Sequence, residues 1–196
     1  MKRRADFARV ARGSADGTAE RSRHEGWTLV EILVVIAIIG ALAALIAPMA
    51  ERMKNQARST QCVAKLREIG LGMNGYFADH GFRFPELVAA RESRSEDEPA
   101  MDTVLINYVP DEFVFECPAD HEGLFEETGS SYFWNSLLNG QRAGDLNLLG
   151  LEGEDSGIPL ASDKENFHEH VGDGVNVLYA DGHVLRRLQF VVDRRR

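Results

Sequence analysis

Residues 26–52 read GWTLVEILVVIAIIGALAALIAPMAER. From Ile32 to Ala50 no side chain is charged; at about 1.5 Å per residue this run makes a helix of roughly 28 Å, close to the hydrocarbon thickness of a bilayer. No other window in the chain is apolar for as long, so a single membrane span is expected. The preceding segment sets Lys2, Arg3, Arg4, Arg9, Arg12, Arg21 and Arg23 against Asp6, Asp16, Glu20 and Glu25, a net charge of +3. The positive-inside rule predicts that residues 1–26 stay cytoplasmic and that everything beyond the span is translocated.

A secretory signal peptide also starts basic and continues apolar, but its run is shorter and ends in a small-residue cleavage site. Here Pro48, Met49 and Ala50 precede Glu51, and an acidic Glu31 stands at the start of the run. That pattern argues against ordinary signal cleavage.

Gly26, Trp27, Thr28, Leu29 and Glu31 resemble, at every motif position, the N-terminus of the type IV pilin and type II secretion pseudopilin superfamily. The resemblance implies cleavage between Gly26 and Trp27 by a prepilin peptidase and N-methylation of Trp27, where the family's usual residue is Phe. It implies that Glu31 attracts the N-terminal amine of a neighbouring subunit. A carboxylate at the edge of a bilayer is costly and generally has a partner, and the new α-amino group would supply one. Gly40 and Pro48 weaken a helix, through backbone freedom and a missing N–H donor, and both match family positions where the helix loosens in a filament. The partners implied are the peptidase, other pilin or pseudopilin subunits in a homo- or heteropolymer, and an inner-membrane assembly platform.

Beyond the membrane run, Cys62, Leu66, Ile69, Met73 and Tyr76 recur at spacings of four, three, four and three. This is one apolar stripe of a helix, opposite Arg58, Lys65, Arg67 and Glu68. A continuous helix from Thr28 to Asp79 would be about 78 Å long, with Gly81 and Pro85 as stop signals. The expected organisation is a leader over 1–26, a transmembrane and assembly half-helix over 27–53, a head-packing half-helix over 54–80, and a head over 81–196.

The head, about 110 residues, suffices for one modest core. Residues 91–98, RESRSEDE, read as a solvated charged loop, and 140–157 as a polar, Gly-rich connection. Met101–Tyr108 reads as a short helix, Phe113–Phe115 and Ser131–Asn135 as short strands. Val175–Ala180 and His183–Leu188 flank Asp181-Gly182, which reads as a hairpin with a two-residue turn. The fold class is α+β: a long N-terminal helix packed on a small antiparallel sheet.

NVLYADGHV (176–184), SDKENFH (162–168), CPAD (117–120) and SSYFWN (130–135) resemble the pilin-like proteins of planctomycetes and verrucomicrobia, marked by a His before an Asp-Gly. Ten residues separate His170 from Asp181, against a commonest spacing of nine in that family, so the counterpart is either His170 or His168.

Cys62 and Cys117 would both lie outside the cytoplasm. A disulfide there would close a loop worth up to roughly 4 kcal/mol; two buried thiols are the alternative. Zinc is not assigned, because no paired C-x-x-C or H-E-x-x-H is present. The acidic loops supply hard oxygens, and the resemblance to major type II pseudopilins, which bind calcium in C-terminal loops, makes Asp163, Asp173 and Asp181 weak calcium candidates. No Walker loop, G-x-S-x-G or dinucleotide fingerprint is present, so no enzyme is expected and no cofactor is assigned. The chain carries −9, and loss of the leader would leave −12, which opposes nucleic-acid binding despite Arg186, Arg187 and Arg194–Arg196.

The sequence thus points to a structural subunit of a type IV pilus or type II secretion pseudopilus. It would be anchored once in the inner membrane with its head periplasmic, then drawn into a periplasmic or extracellular fibre. The alternative is a membrane-tethered module that binds a glycan or metal ion and never polymerises.

Overall fold

The computed structural model describes residues 26–148, 151–152, 155–172 and 174–187. The chain divides into two compact units, Met1–Ala43 and Ala44–Arg196. In the first, helix α1 (Leu29–Asp79) begins, and every described side chain from Gly26 to Ala43 is exposed. Among the described residues this apolar surface finds no protein partner.

In the second unit α1 continues through Pro48 to Asp79 without interruption. Its buried side is formed by Cys62, Val63, Leu66, Ile69, Met73 and Phe77. The anticipated stripe is therefore observed, except that Phe77 is fully packed and Tyr76 only half-buried. Gly81 and Phe82 both take positive φ (64° and 60°), and the Phe82 N–H returns to Phe77 O at 3.0 Å. A left-handed residue after the last turn ends a helix in this way.

Two glycines let α1 approach its neighbours. A Cβ on Gly70 would stand 3.3 Å from Leu178 Cδ1, and one on Gly72 2.7 Å from Val109 Cγ1 and 3.1 Å from Tyr108 O.

The principal sheet has the order β1-β4-β5-β6, with β1 Tyr132–Trp134, β4 Pro159–Asp163, β5 Val177–Tyr179 and β6 Val184–Leu185, all antiparallel. Tyr132 pairs with Asp163 and Trp134 with Ala161. Central β5 is buried at all three residues, as expected of a strand covered on both faces. A second hairpin, β2 (Asn147–Leu148) with β3 (Leu151–Glu152), lies in the connection from β1 to β4. The α+β architecture expected from sequence is the one observed.

Four local expectations are corrected. Met101–Tyr108 is not one helix but α2 (Met101–Val104) and a 3-10 turn, Ile106–Tyr108. Phe113–Phe115 is not a strand but part of a 3-10 turn, Glu112–Phe115, started by Asp111, whose Oδ1 accepts from Phe113 N at 2.9 Å. The terminal turn is a three-residue loop. Tyr179 N bonds to His183 O and Gly182 N to Tyr179 O, both at 2.9 Å, and Gly182 has φ 89°. That is a type I turn followed by a left-handed glycine. Finally, the charged run 91–98 is not simply solvated: Arg91 is buried and paired with Asp102, and Arg94 lies 4.5 Å over the Phe125 ring while donating to Phe125 O at 3.1 Å. Its aliphatic stem and flat guanidinium cover apolar surface that a short head would otherwise expose.

Candidate functional site

At the N-terminus Thr28 caps α1. Its backbone N–H and its hydroxyl both donate to Glu31 Oε2 at 2.8 Å, and Glu31 N–H donates back to Thr28 Oγ1 at 3.2 Å. This is the reciprocal cap of a T-x-x-E sequence, here TLVE. Gly26 and Trp27 precede the helix and are exposed.

A second constellation lies in the head. Cys62 comes from α1, Cys117 from the CPAD turn, Asp163 from the end of β4 and His168 from the loop that follows. All four are buried. The CPAD turn is closed by Asp120 N to Cys117 O (2.8 Å) and anchored by Ser131 Oγ, which accepts from Cys117 N (3.0 Å) and donates to Asp120 Oδ2 (2.7 Å). Asp163 Oδ2 accepts from the backbone N (2.7 Å) and side-chain Nδ2 (3.1 Å) of Asn176.

Cys62 Sγ donates to Asp163 Oδ1 at 3.1 Å and lies 3.4 Å from Tyr132 Oη. Cys117 Sγ is 3.3 Å from His168 Nε2, which is itself 3.7 Å from Asp163 Oδ2. Burial pushes the Cys62 thiol and Tyr132 hydroxyl up, and lifts the Asp163 carboxyl to about 6 with help from the charge of Cys117. Hydrogen bonds from Cys62 and then His168 outweigh burial at Cys117 and hold its thiol down.

Cys, His and Asp in contact suggest a nucleophilic triad, yet the geometry is wrong for one. A triad uses the two imidazole nitrogens for different partners, whereas Cys117 and Asp163 both approach Nε2. The four ligand atoms converge instead on a common point, all within 4.8 Å of one another.

Residues 21–47 match the family model for the prokaryotic N-terminal methylation motif. The chain is 31% identical over 101 residues to type II secretion system core protein G of Escherichia coli K12, covering 52% of this chain and 68% of that protein. The chain belongs to the type IV pilin and type II secretion pseudopilin superfamily. Its similarity to the core protein G of Pseudomonas aeruginosa is 28% over 149 residues, spanning 76% of this pseudopilin and 98% of the relative. With that of Pectobacterium carotovorum it is 29% over 141 residues, 72% and 82% of the two chains. No solved structure matches significantly.

The other sequence-predicted positions of this pseudopilin fall as follows. Gly40 and Pro48 lie within unbroken α1, and a Cβ on Gly40 would touch nothing within 4 Å. Cys62 and Cys117 are free thiols. Asp173 and Arg194–Arg196 lie outside the described residues. Among the described residues, Asp163 and Asp181 have different surroundings. Asp163 is sealed in with two sulfurs, while Asp181 Oδ1 sits 2.5 Å from His183 Nδ1 at the exposed turn. His168, not His170, is the buried histidine; His170 is exposed beside Glu169. Sequence reasoning missed the Cys-Cys-Asp-His set because its members lie up to 106 positions apart in the chain (62 to 168), with no short-range spacing to betray them.

Proposed function

We propose that this pseudopilin is a non-enzymatic structural subunit. It is anchored in the inner membrane by α1 with its head on the far side, is cut between Gly26 and Trp27, methylated at Trp27, and drawn through α1 into a pseudopilus or pilus. The observation that carries this reading is the exposed apolar stretch of α1, which begins three residues after Gly26 and is opened by the Thr28–Glu31 cap. Such a surface is stable only in lipid or against equally apolar helices. Leaving the membrane therefore requires neighbouring copies, and Glu31 provides the charge that pairs with each arriving amine. Near Gly40 and Pro48 a helix lacking a side chain and an N–H donor can loosen as subunits pack. The partners are prepilin peptidase, further subunits of the same type and an assembly platform.

Intact mass of the membrane-extracted protein tests processing: loss of residues 1–26 and gain of one methyl group are expected. Site-specific crosslinks between α1 helices of neighbouring copies test assembly, and a protein that remains monomeric in its membrane would overturn it in favour of a tethered module.

A further inference from the structure

We propose that Cys62, Cys117, Asp163 and His168 form a closed zinc site that fastens α1 to the head. Two sulfurs, one imidazole nitrogen and one carboxylate oxygen make a donor set that favours zinc and disfavours calcium or magnesium. Zinc bonds of about 2.3 Å to sulfur and about 2.0–2.1 Å to nitrogen and oxygen imply tetrahedral edges of about 3.3–3.8 Å. Three of the approaches are 3.1 Å (Cys62 Sγ to Asp163 Oδ1), 3.3 Å (Cys117 Sγ to His168 Nε2) and 3.7 Å (His168 Nε2 to Asp163 Oδ2), and one ligand atom from each of the four residues lies within 4.8 Å of the others. Closing the widest separation, up to 4.8 Å, to a tetrahedral edge takes a shift of up to about 1 Å, within reach of side-chain rotation.

The surroundings are those of a ligand shell. Asn176 holds Asp163 through its backbone and side-chain N–H groups, and its own Oδ1 is buried with no hydrogen-bond partner among the described residues. Ser131 fixes the backbone of Cys117, and His168 N donates to Gly174 O at 3.0 Å. His168 also lines a cleft of about 390 Å³ with His121, Glu122, Glu165 and His170, which gives an ion a polar route inward. A Cys62–Cys117 disulfide would consume both sulfurs and strip Asp163 of its thiol donor, leaving a buried carboxylate against His168.

Zn²⁺ enters as the thiol protons of Cys62 and Cys117 leave to solvent. Two thiolates, one carboxylate and a neutral imidazole then surround the ion, and no redox change occurs. With all four positions filled by protein the site is structural.

The test uses the full-length pseudopilin in detergent, purified without reductant or chelator. One zinc per chain is expected. After chelation and reduction, cobalt(II) alone should bind one to one, with the intense visible absorption of a tetrahedral ion and a thiolate charge-transfer band. His168→Ala should abolish that spectrum, and Asn176→Ala should weaken cobalt binding about 10–100-fold while keeping its shape. Should either variant fail to fold, the wild-type spectrum decides alone. Absence of the tetrahedral thiolate spectrum, or a native mass lower by two hydrogens with no titratable thiol, would overturn the proposal.

Discussion

Glu31 closes back on Thr28: one carboxylate oxygen accepts from both the backbone N–H and the hydroxyl of Thr28 at 2.8 Å. The residue assigned to assembly is thus also the residue that begins the helix within its own chain. The two roles separate by substitution. Glu31→Gln keeps a reciprocal cap, since glutamine serves at that position, but removes the charge. We expect normal insertion and cleavage with loss of fibres, read by intact mass and by sedimentation of sheared fibres. Glu31→Ala should lose fibres and also about 0.5–2 kcal/mol of helix initiation. Fibres of normal yield from Glu31→Gln would rule out the charge mechanism.

Leu66 and Leu71 lie five residues apart on α1, the first fully buried and the second 69% exposed. Leu66→Ala should destabilise the head by about 2–5 kcal/mol, and Leu71→Ala should stay within about 0.5 kcal/mol. Urea unfolding followed by near-ultraviolet circular dichroism measures both.

Gly72→Ala places a methyl group 2.7 Å from Val109 Cγ1 and 3.1 Å from the Tyr108 carbonyl oxygen. The valine can turn away but the backbone cannot, so a loss of about 1–3 kcal/mol is expected. Gly40→Ala, with open space around it, should leave head stability unchanged in the same assay.

Arg91 is buried against Asp102 through Nη2 and Oδ2, while Arg91 Nε and Asp102 Oδ1 are buried with no hydrogen-bond partner among the described residues. Removing one charge strands the other, so Arg91→Met should cost about 3–5 kcal/mol. Adding Asp102→Leu to that variant should recover part of the loss, and a double-mutant cycle gives the coupling.

Asp120 accepts from Gly123, Leu124 and Phe125 N–H groups and from Ser131. Burial raises its carboxyl, but these bonds outweigh it and hold the group below its ordinary value of 3.8. A folded-state pKa below the unfolded one means stability that is complete above about pH 4 and is lost as pH falls through the folded value. Asp120→Asn should therefore flatten the acid limb of a plot of urea midpoint against pH and leave the neutral region lower than wild type.

The local patterns of the sequence carried a long way here. An uncharged run from Ile32 to Ala50 is long and apolar enough to cross a bilayer, and in lipid its backbone is satisfied only as a helix. The 3.6-residue repeat from Cys62 to Met73 must be a helix with one buried side, because only that period stacks those side chains on one face. Gly26 to Glu31 marked the family. Where short segments were misread, as at Phe113–Phe115, capping by Asp111 and packing of Phe115 into the core overrode strand propensity.

What only tertiary structure decided is which distant side chains meet. Arg91 sits in a run of charges that reads as solvated, and only the placement of Asp102 turns it inward. Asp163 was read as a loop oxygen ligand, and Cys62 and Cys117 as two thiols that either pair or stay apart. The register of β1 with β4, the CPAD turn held by Ser131, and the close approach permitted by Gly70 and Gly72 bring those three residues to His168. Sequence encodes local geometry through short-range sterics and periodicity. The convergence of four elements on one buried point depends on how the whole core packs, and no spacing along the chain records it.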